Sequence, residues 1–183
     1  MARILFVYGT TDGHTRKICG TMQTRLNDIG DEVELVAVED VDSVDLDAFD
    51  KLVVGASIRY GKHSKAIRAF VTDRKDQLDA KPNAFFTVNV TARKPEKNTP
   101  ETNPYIGKFL EQVPWRPAKI GVFAGVINYP SYGFFDRTMI RFIMWMTKGP
   151  TDPHTHVEFT DWAKVDDFAN EIHAMTTSGG VAA

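Results

Sequence analysis

A single cysteine, Cys19, stands in the 183 residues, so no intrachain disulfide can form. That fits a reducing compartment, and Cys19 itself sits mid-way along a helical pattern where a thiol serves as a small hydrophobe. Nowhere does the chain approach the ~18 uncharged apolar residues needed to cross a bilayer. Met1-Ala2-Arg3-Ile4 runs straight into a strand pattern, and no signal peptide is expected. A charge excess is also missing: 22 Lys+Arg face 24 Asp+Glu, for a net charge of −2. With no basic stripe to track a phosphate backbone, nucleic acid is a poor partner. Internal repeats and low-complexity blocks are absent. So are two nucleotide signatures, G-x-x-x-x-G-K-[ST] and G-x-G-x-x-G.

What is present is ordinary globular material, 43% hydrophobic and 25% charged, in one domain expected to span residues 1–176 with a flexible tail at 177–183. The organising stretch is Phe6 to Ile18. An apolar run, Ile4 to Val7, stops in Thr10-Thr11-Asp12-Gly13-His14-Thr15, and a helical pattern begins at once. The first N–H groups of a helix lack intrahelical partners and sit at its positive end, which makes a ready anion site. Hydroxyls without a lysine suit one terminal phosphate monoester. T-x-D-G-x-T after a first strand is the pattern by which flavodoxin-like proteins hold the phosphate of FMN.

The periodicity predicts helix 15–29, strand 32–38, strand 51–56, helix 64–78, strand 83–90, a helix carrying Tyr105 and Phe109, strand 119–126 and a last helix 162–175 capped by Asp161. Residues 157–160 are expected to resume the fifth strand. Strand–helix alternation implies a doubly wound five-stranded parallel sheet, helices on both faces, with ligands beyond the carboxyl ends of the strands; the order 2-1-3-4-5 is what the likeness to flavodoxin-like proteins implies. Polar loops follow those ends at 57–63 and 91–102.

About thirty residues near 127–156 exceed what that plan needs, and long insertions are usually functional. Within them Phe134 to Lys148 is nearly all Met, Ile, Phe and Trp, with Arg137, Arg141 and Lys148 on one helical face. Such a helix needs a cover: protein, a greasy substrate or a membrane interface. The pair His154 and His156 beside Asp152 makes a poor metal site among prolines, and no metal is expected.

Thr11-Asp12-Gly13-His14-Thr15-Arg16, Ala56-Ser57-Ile58-Arg59-Tyr60-Gly61, Ala92-Arg93-Lys94-Pro95-Glu96-Lys97, Tyr129-Pro130, Asp136-Arg137, Met139-Ile140 and Thr160-Asp161-Trp162 resemble the flavodoxin-like, quinone-dependent protoporphyrinogen IX dehydrogenases of bacteria. The resemblance reaches the last helix. It implies FMN, oxidation of protoporphyrinogen IX to protoporphyrin IX in heme biosynthesis, menaquinone or ubiquinone as acceptor, and peripheral attachment to the cytoplasmic face of the inner membrane. On this reading Thr10, Thr11, Asp12, Gly13, His14 and Thr15 hold the phosphate. Ser57, Ile58, Arg59, Tyr60 and Gly61, with Asn89, Val90, Thr91, Ala92 and Arg93, flank the flavin ring. Arg59, Arg93, Lys94, Lys97 and Tyr129 are candidates for the substrate, whose propionates suit guanidinium forks. Phe134, Arg137, Arg141, Phe142 and Trp145 are candidates for membrane or quinone contact. No general base is identified. Rival readings are an NAD(P)H:quinone reductase, an electron-carrying flavodoxin, and a flavin module docking on a membrane partner.

Overall fold

The computed structural model describes residues 1–176; the tail expected at 177–183 lies outside them. In chain order the elements are β1 (Arg3–Gly9), α1 (His14–Asp28), β2 (Glu32–Ala37), β3 (Lys51–Arg59), β4 (Lys62–His63), α2 (Lys65–Asp73), α3 (Lys75–Asp79) and β5 (Asn83–Asn89). They continue with α4 (Pro104–Gln112), β6 (Lys119–Ala124), β7 (Val126–Asn128), α5 (Phe134–Met146), β8 (His156–Glu158) and α6 (Trp162–Ala174).

Strands β2-β1-β3-β5-β6 form a parallel sheet in that order. It is the expected 2-1-3-4-5 arrangement once the two-residue β4, a hairpin partner of the end of β3, is set aside. Successive strand residues point to opposite faces. Leu5, Val7, Leu52, Val54 and Phe85 therefore pack with Ile67, Phe70, Val71 and Phe109 on one side. Ile4, Phe6, Val53, Ala84 and Phe86 pack with Ile18, Met22, Leu26, Phe168 and Ile172 on the other. Every residue of β5 is buried, as a central parallel strand requires. Gly55 is dictated by that density: a Cβ there would lie 2.2 Å from Phe86 Cζ.

At the amino edge of the sheet the buried Lys51 reaches the end of α6, its Nζ donating to the carbonyls of Ile172 at 3.0 Å and His173 at 2.6 Å. Those carbonyls belong to the last turn of a helix, at the negative end of its dipole, so a cation adds bonds there and complements the dipole, although that of Ile172 also accepts from Met175 N–H at 3.2 Å.

Three expectations are corrected. The helix foreseen at 64–78 is two, α2 and α3, parted at Arg74 (φ −105°, ψ 17°). Residues 157–160 do not resume the fifth strand. β8 instead pairs antiparallel with β7 in a separate two-stranded sheet that begins just past Gly125, whose N–H still bonds to the Asn89 carbonyl at 3.3 Å while its carbonyl accepts from Phe159 N–H at 3.0 Å. Lys148 lies beyond the end of α5 in a left-handed conformation (φ 57°), off the face that carries Arg137 and Arg141. Between β7 and β8 a third apolar cluster forms from Ile127, Tyr129, Tyr132 and Met144.

Candidate functional site

A cleft with about 980 Å³ of empty space, its open mouth included, lies beyond the carboxyl ends of β1, β3, β5 and β6. That is where doubly wound sheets bind ligands. Its floor comes from the loops after the strands: Thr10 to Asp12, His14 and Thr15 after β1, Ser57 to Gly61 at the end of β3, and Val88 to Thr91 around the end of β5. Its roof comes from Tyr132, Asp136, Ile140, Ile143 and Met144, with Gly125 to Ile127 at one side.

The β1 loop is shaped as an anion cradle. Gly13 takes φ 78°, the left-handed turn that swings the chain into α1. The first turn of α1 holds no acidic side chain, and its start has no side-chain cap, so its leading N–H groups face the cleft unclaimed. Thr15 is fully buried, yet its Oγ1 has no hydrogen-bond partner among the described residues. The same holds for Asn89 Nδ2, while the other end of that amide accepts from Ala92 N–H at 3.0 Å and Asn103 Nδ2 at 3.3 Å. Leaving a buried polar atom unpaired costs ~1–3 kcal/mol, so a donor on each side of the cleft awaits an acceptor.

His14 ties the β1 loop to the segment before α6. Its Nε2 lies 2.7 Å from Thr160 Oγ1, whose own hydrogen is donated to the Ala124 carbonyl at 2.7 Å. Nε2 must therefore be the donor. Burial lowers the pKa of His14 against the pull of Glu158, which favours the neutral ring. At the mouth, the Asp136 carboxylate is held by Arg59 and by the Tyr60 hydroxyl. Asp12 faces the same group; burial raises its carboxyl pKa, Arg59 opposes that and Asp136 adds to it.

The structure brings together most residues singled out in the sequence. Thr10, Thr11, Asp12, His14, Thr15, Ser57, Ile58, Arg59, Tyr60, Gly61, Asn89, Val90 and Thr91 line the cleft; Gly13 shapes its first loop. Ala92 instead points into the core. Arg93 turns away as well: its guanidinium donates to the carbonyls of Val90 at 3.0 Å and Thr147 at 3.1 Å, capping the end of α5. Tyr129 is fully buried with its hydroxyl on the Pro150 carbonyl at 2.6 Å. Lys94 and Lys97 lie off the cleft lining, in the turns before α4. Arg137 and Arg141 donate to the carbonyls of Tyr132 at 3.2 Å and Thr151 at 2.8 Å. Phe134, Phe142 and Trp145 face solvent with Phe135, Met139 and Met146. Sequence reasoning had not placed Tyr132, Asp136, Ile140, Ile143 or Met144 in the site. The last three show the i, i+3, i+4 spacing of a second apolar face, a signal masked because nearly every position of that helix is apolar.

Residues 5–154 match the family model described as Flavodoxin domain. The chain is 41% identical over 174 residues to the Protoporphyrinogen IX dehydrogenase [quinone] of Escherichia coli (strain K12), covering 95% of this chain and 96% of that protein. A Leishmania major protein of the same name is 45% identical over 174 residues, covering 94% of this chain and 75% of its own length. Among solved structures, the Streptococcus pneumonia TIGR4 flavodoxin superposes with a TM-score of 0.50 at 15% identity, covering 94% of this chain and 99% of that one, a likeness of fold.

Proposed function

The chain belongs to the Flavodoxin domain family and, within it, to the quinone-linked protoporphyrinogen IX dehydrogenases, and from that premise we propose that it binds FMN and oxidises protoporphyrinogen IX to protoporphyrin IX with a membrane quinone as acceptor, a step of heme biosynthesis. The observation that carries the cofactor half is the pair of buried unpartnered donors, Thr15 Oγ1 and Asn89 Nδ2, on opposite sides of one cleft at a helix N-terminus. Thr10, Thr11, Thr15 and the leading N–H groups of α1 would hold the phosphate. The loops 57–61 and 89–91 would hold the ring. Bound FMN supplies two-electron redox chemistry, so the six electrons and six protons removed from the porphyrinogen leave in three passes and reduce three quinones to quinols. The protein's part is to bind, orient and exclude water, which the apolar roof of Ile140, Ile143 and Met144 does from above.

The acceptor half rests on α5. No helix among the described residues is long and apolar enough to cross a membrane. The outer face of α5 is nonetheless bare: Phe135 is 86% exposed and Trp145 70%. A face this greasy over the cleft suits the boundary of a lipid surface, where a quinone is at hand. Peripheral attachment on the cytoplasmic side of the inner membrane follows as part of the proposal. Because Arg137 and Arg141 spend hydrogen bonds on backbone carbonyls, the aromatic rings are the main contacts on this reading.

The deciding assay is anaerobic: protein reconstituted with FMN, protoporphyrinogen IX and a quinone, followed by porphyrin fluorescence. Porphyrin should appear well above the protein-free control and only with quinone present. No gain over the control would overturn the reading, and bleaching of the flavin by NAD(P)H alone would point to a pyridine-nucleotide reductase.

A further inference from the structure

Both oxygens of the Asp136 carboxylate are taken by the end of β3 and the residue that follows it: Oδ2 accepts from Arg59 Nη2, and Oδ1 from the Tyr60 hydroxyl. A guanidinium and a phenol side by side, each giving one hydrogen bond to the same group, make a built receptor for a carboxylate. The backbone is committed to that presentation. Tyr60 takes φ 50° and Gly61 φ 76°, and the Arg59 guanidinium lies 5.3 Å from the centre of the Tyr60 ring. With Arg59 44% and Tyr60 54% exposed, the receptor opens at the mouth of the cleft.

The carboxylate now in it belongs to the first turn of α5, whose neighbouring side chains face solvent. Phe134 and Phe135 beside Asp136 are exposed, and the helix starts at Gly133 without a side-chain cap. Arg137 bonds only to Tyr132 within the same segment. α5 is anchored on either side of that turn, by buried Tyr132 just before it and by buried Met144 and Arg93 on the Thr147 carbonyl at its far end. Charge then separates addition from exchange. Asp12 and Asp136 already face one guanidinium, so a third carboxylate is repelled unless one leaves.

We propose that Arg59 and Tyr60 are the receptor for a carboxylate of the substrate, and that Asp136 is an internal stand-in which the substrate displaces. This rests on the porphyrinogen reading, whose substrate carries two propionates on an apolar ring. Displacement unfastens the amino-terminal end of the roof as the ring arrives, so the substrate itself opens the cleft it enters.

The test uses flavin-loaded protein and two probes that are not turned over, protoporphyrin IX and its dimethyl ester, titrated by tryptophan fluorescence. The wild-type chain should prefer the diacid. Asp136→Asn should tighten the diacid about 10- to 100-fold, the worth of one charge-assisted bond, and leave the ester unchanged. Arg59→Gln should erase the preference. Diacid affinity that is unchanged in Asp136→Asn, or falls together with that of the ester, overturns the proposal and leaves Asp136 as a fastener. A porphyrin-free arm follows hydrogen exchange of residues 134–138 in sodium propionate against sodium chloride at equal ionic strength. Propionate should speed exchange about threefold or more in the wild type and not in Arg59→Gln; equal rates in the two salts overturn the receptor. Faster exchange in propionate without binding of either porphyrin keeps the carboxylate receptor and sinks the porphyrinogen reading instead.

Discussion

Thr15 illustrates how a residue can be both local and functional. Its position after Thr10-Thr11-Asp12-Gly13-His14 marked it in the sequence, and in the structure its hydroxyl is buried without a partner. Thr15→Val keeps the shape and removes the hydroxyl. The affinity for FMN, measured by quenching of flavin fluorescence, should drop about tenfold, since one hydrogen bond is worth ~1–1.5 kcal/mol. Unchanged affinity would mean that the hydroxyl does not meet the phosphate. Gly55 tests packing instead of binding. With Phe86 Cζ 2.2 Å from where its Cβ would sit, Gly55→Ala must displace a core ring, and urea unfolding should show a loss of ~1–3 kcal/mol. Asp136 shows the limit of reading residues singly. An acid in the first turn of a helix looks like ordinary dipole chemistry, and only tertiary structure reveals that its partners are Arg59 and Tyr60, more than seventy residues away.

At the scale of elements, the strands of the sheet were legible because burial on both faces writes continuous apolar runs such as Leu52-Val53-Val54 and Phe85-Phe86. The helix at 134–146 was legible as well, but the strands β7 and β8 on either side of it and its inner face were not. Three-residue strands carry too few positions for a period to show, and an almost uniformly apolar α5 has no contrast from which to tell its inner face from its outer one. The same uniformity is what the function needs: Ile140, Ile143 and Met144 cover the cleft while Phe142 and Trp145 stay outside. Changing Phe142 and Trp145 together to Ser should cut partition onto lipid vesicles about tenfold or more, because each buried aromatic is worth ~1.5–3 kcal/mol. Arg137→Glu with Arg141→Glu should weaken binding to anionic vesicles less. Loss in the reverse order would make the contact electrostatic.

Across the molecule, one source of acid sensitivity is a buried imidazole. His63 packs against Phe85 and Phe109 with Nε2 3.0 Å from Thr87 Oγ1. Burial, helped by Arg68, lowers its pKa to about 4 from 6.5. Between those values the unfolded chain takes up a proton that the folded one refuses. The contribution to stability is therefore whole above pH 6.5 and is lost as pH falls towards 4, amounting to about 3 kcal/mol. Urea midpoints should fall over that window, and His63→Phe should flatten the fall even if it is less stable at pH 7. No sequence pattern announced this, because one histidine beside a polar loop reads as surface until the fold closes over it.

Floor and roof of the cleft come from different parts of the chain, and among the described residues Arg59 and Tyr60 bond to Asp136 across them. Affinity for a cofactor held by the floor and the time that cofactor stays are then separate properties. A roof truncation such as Met144→Ala should speed entry and escape of FMN together, with little change in equilibrium binding, as rapid mixing would show. Loop changes such as Thr15→Val should act mainly on escape. The roof makes the flavin a long-term resident; the floor decides how much it is wanted there.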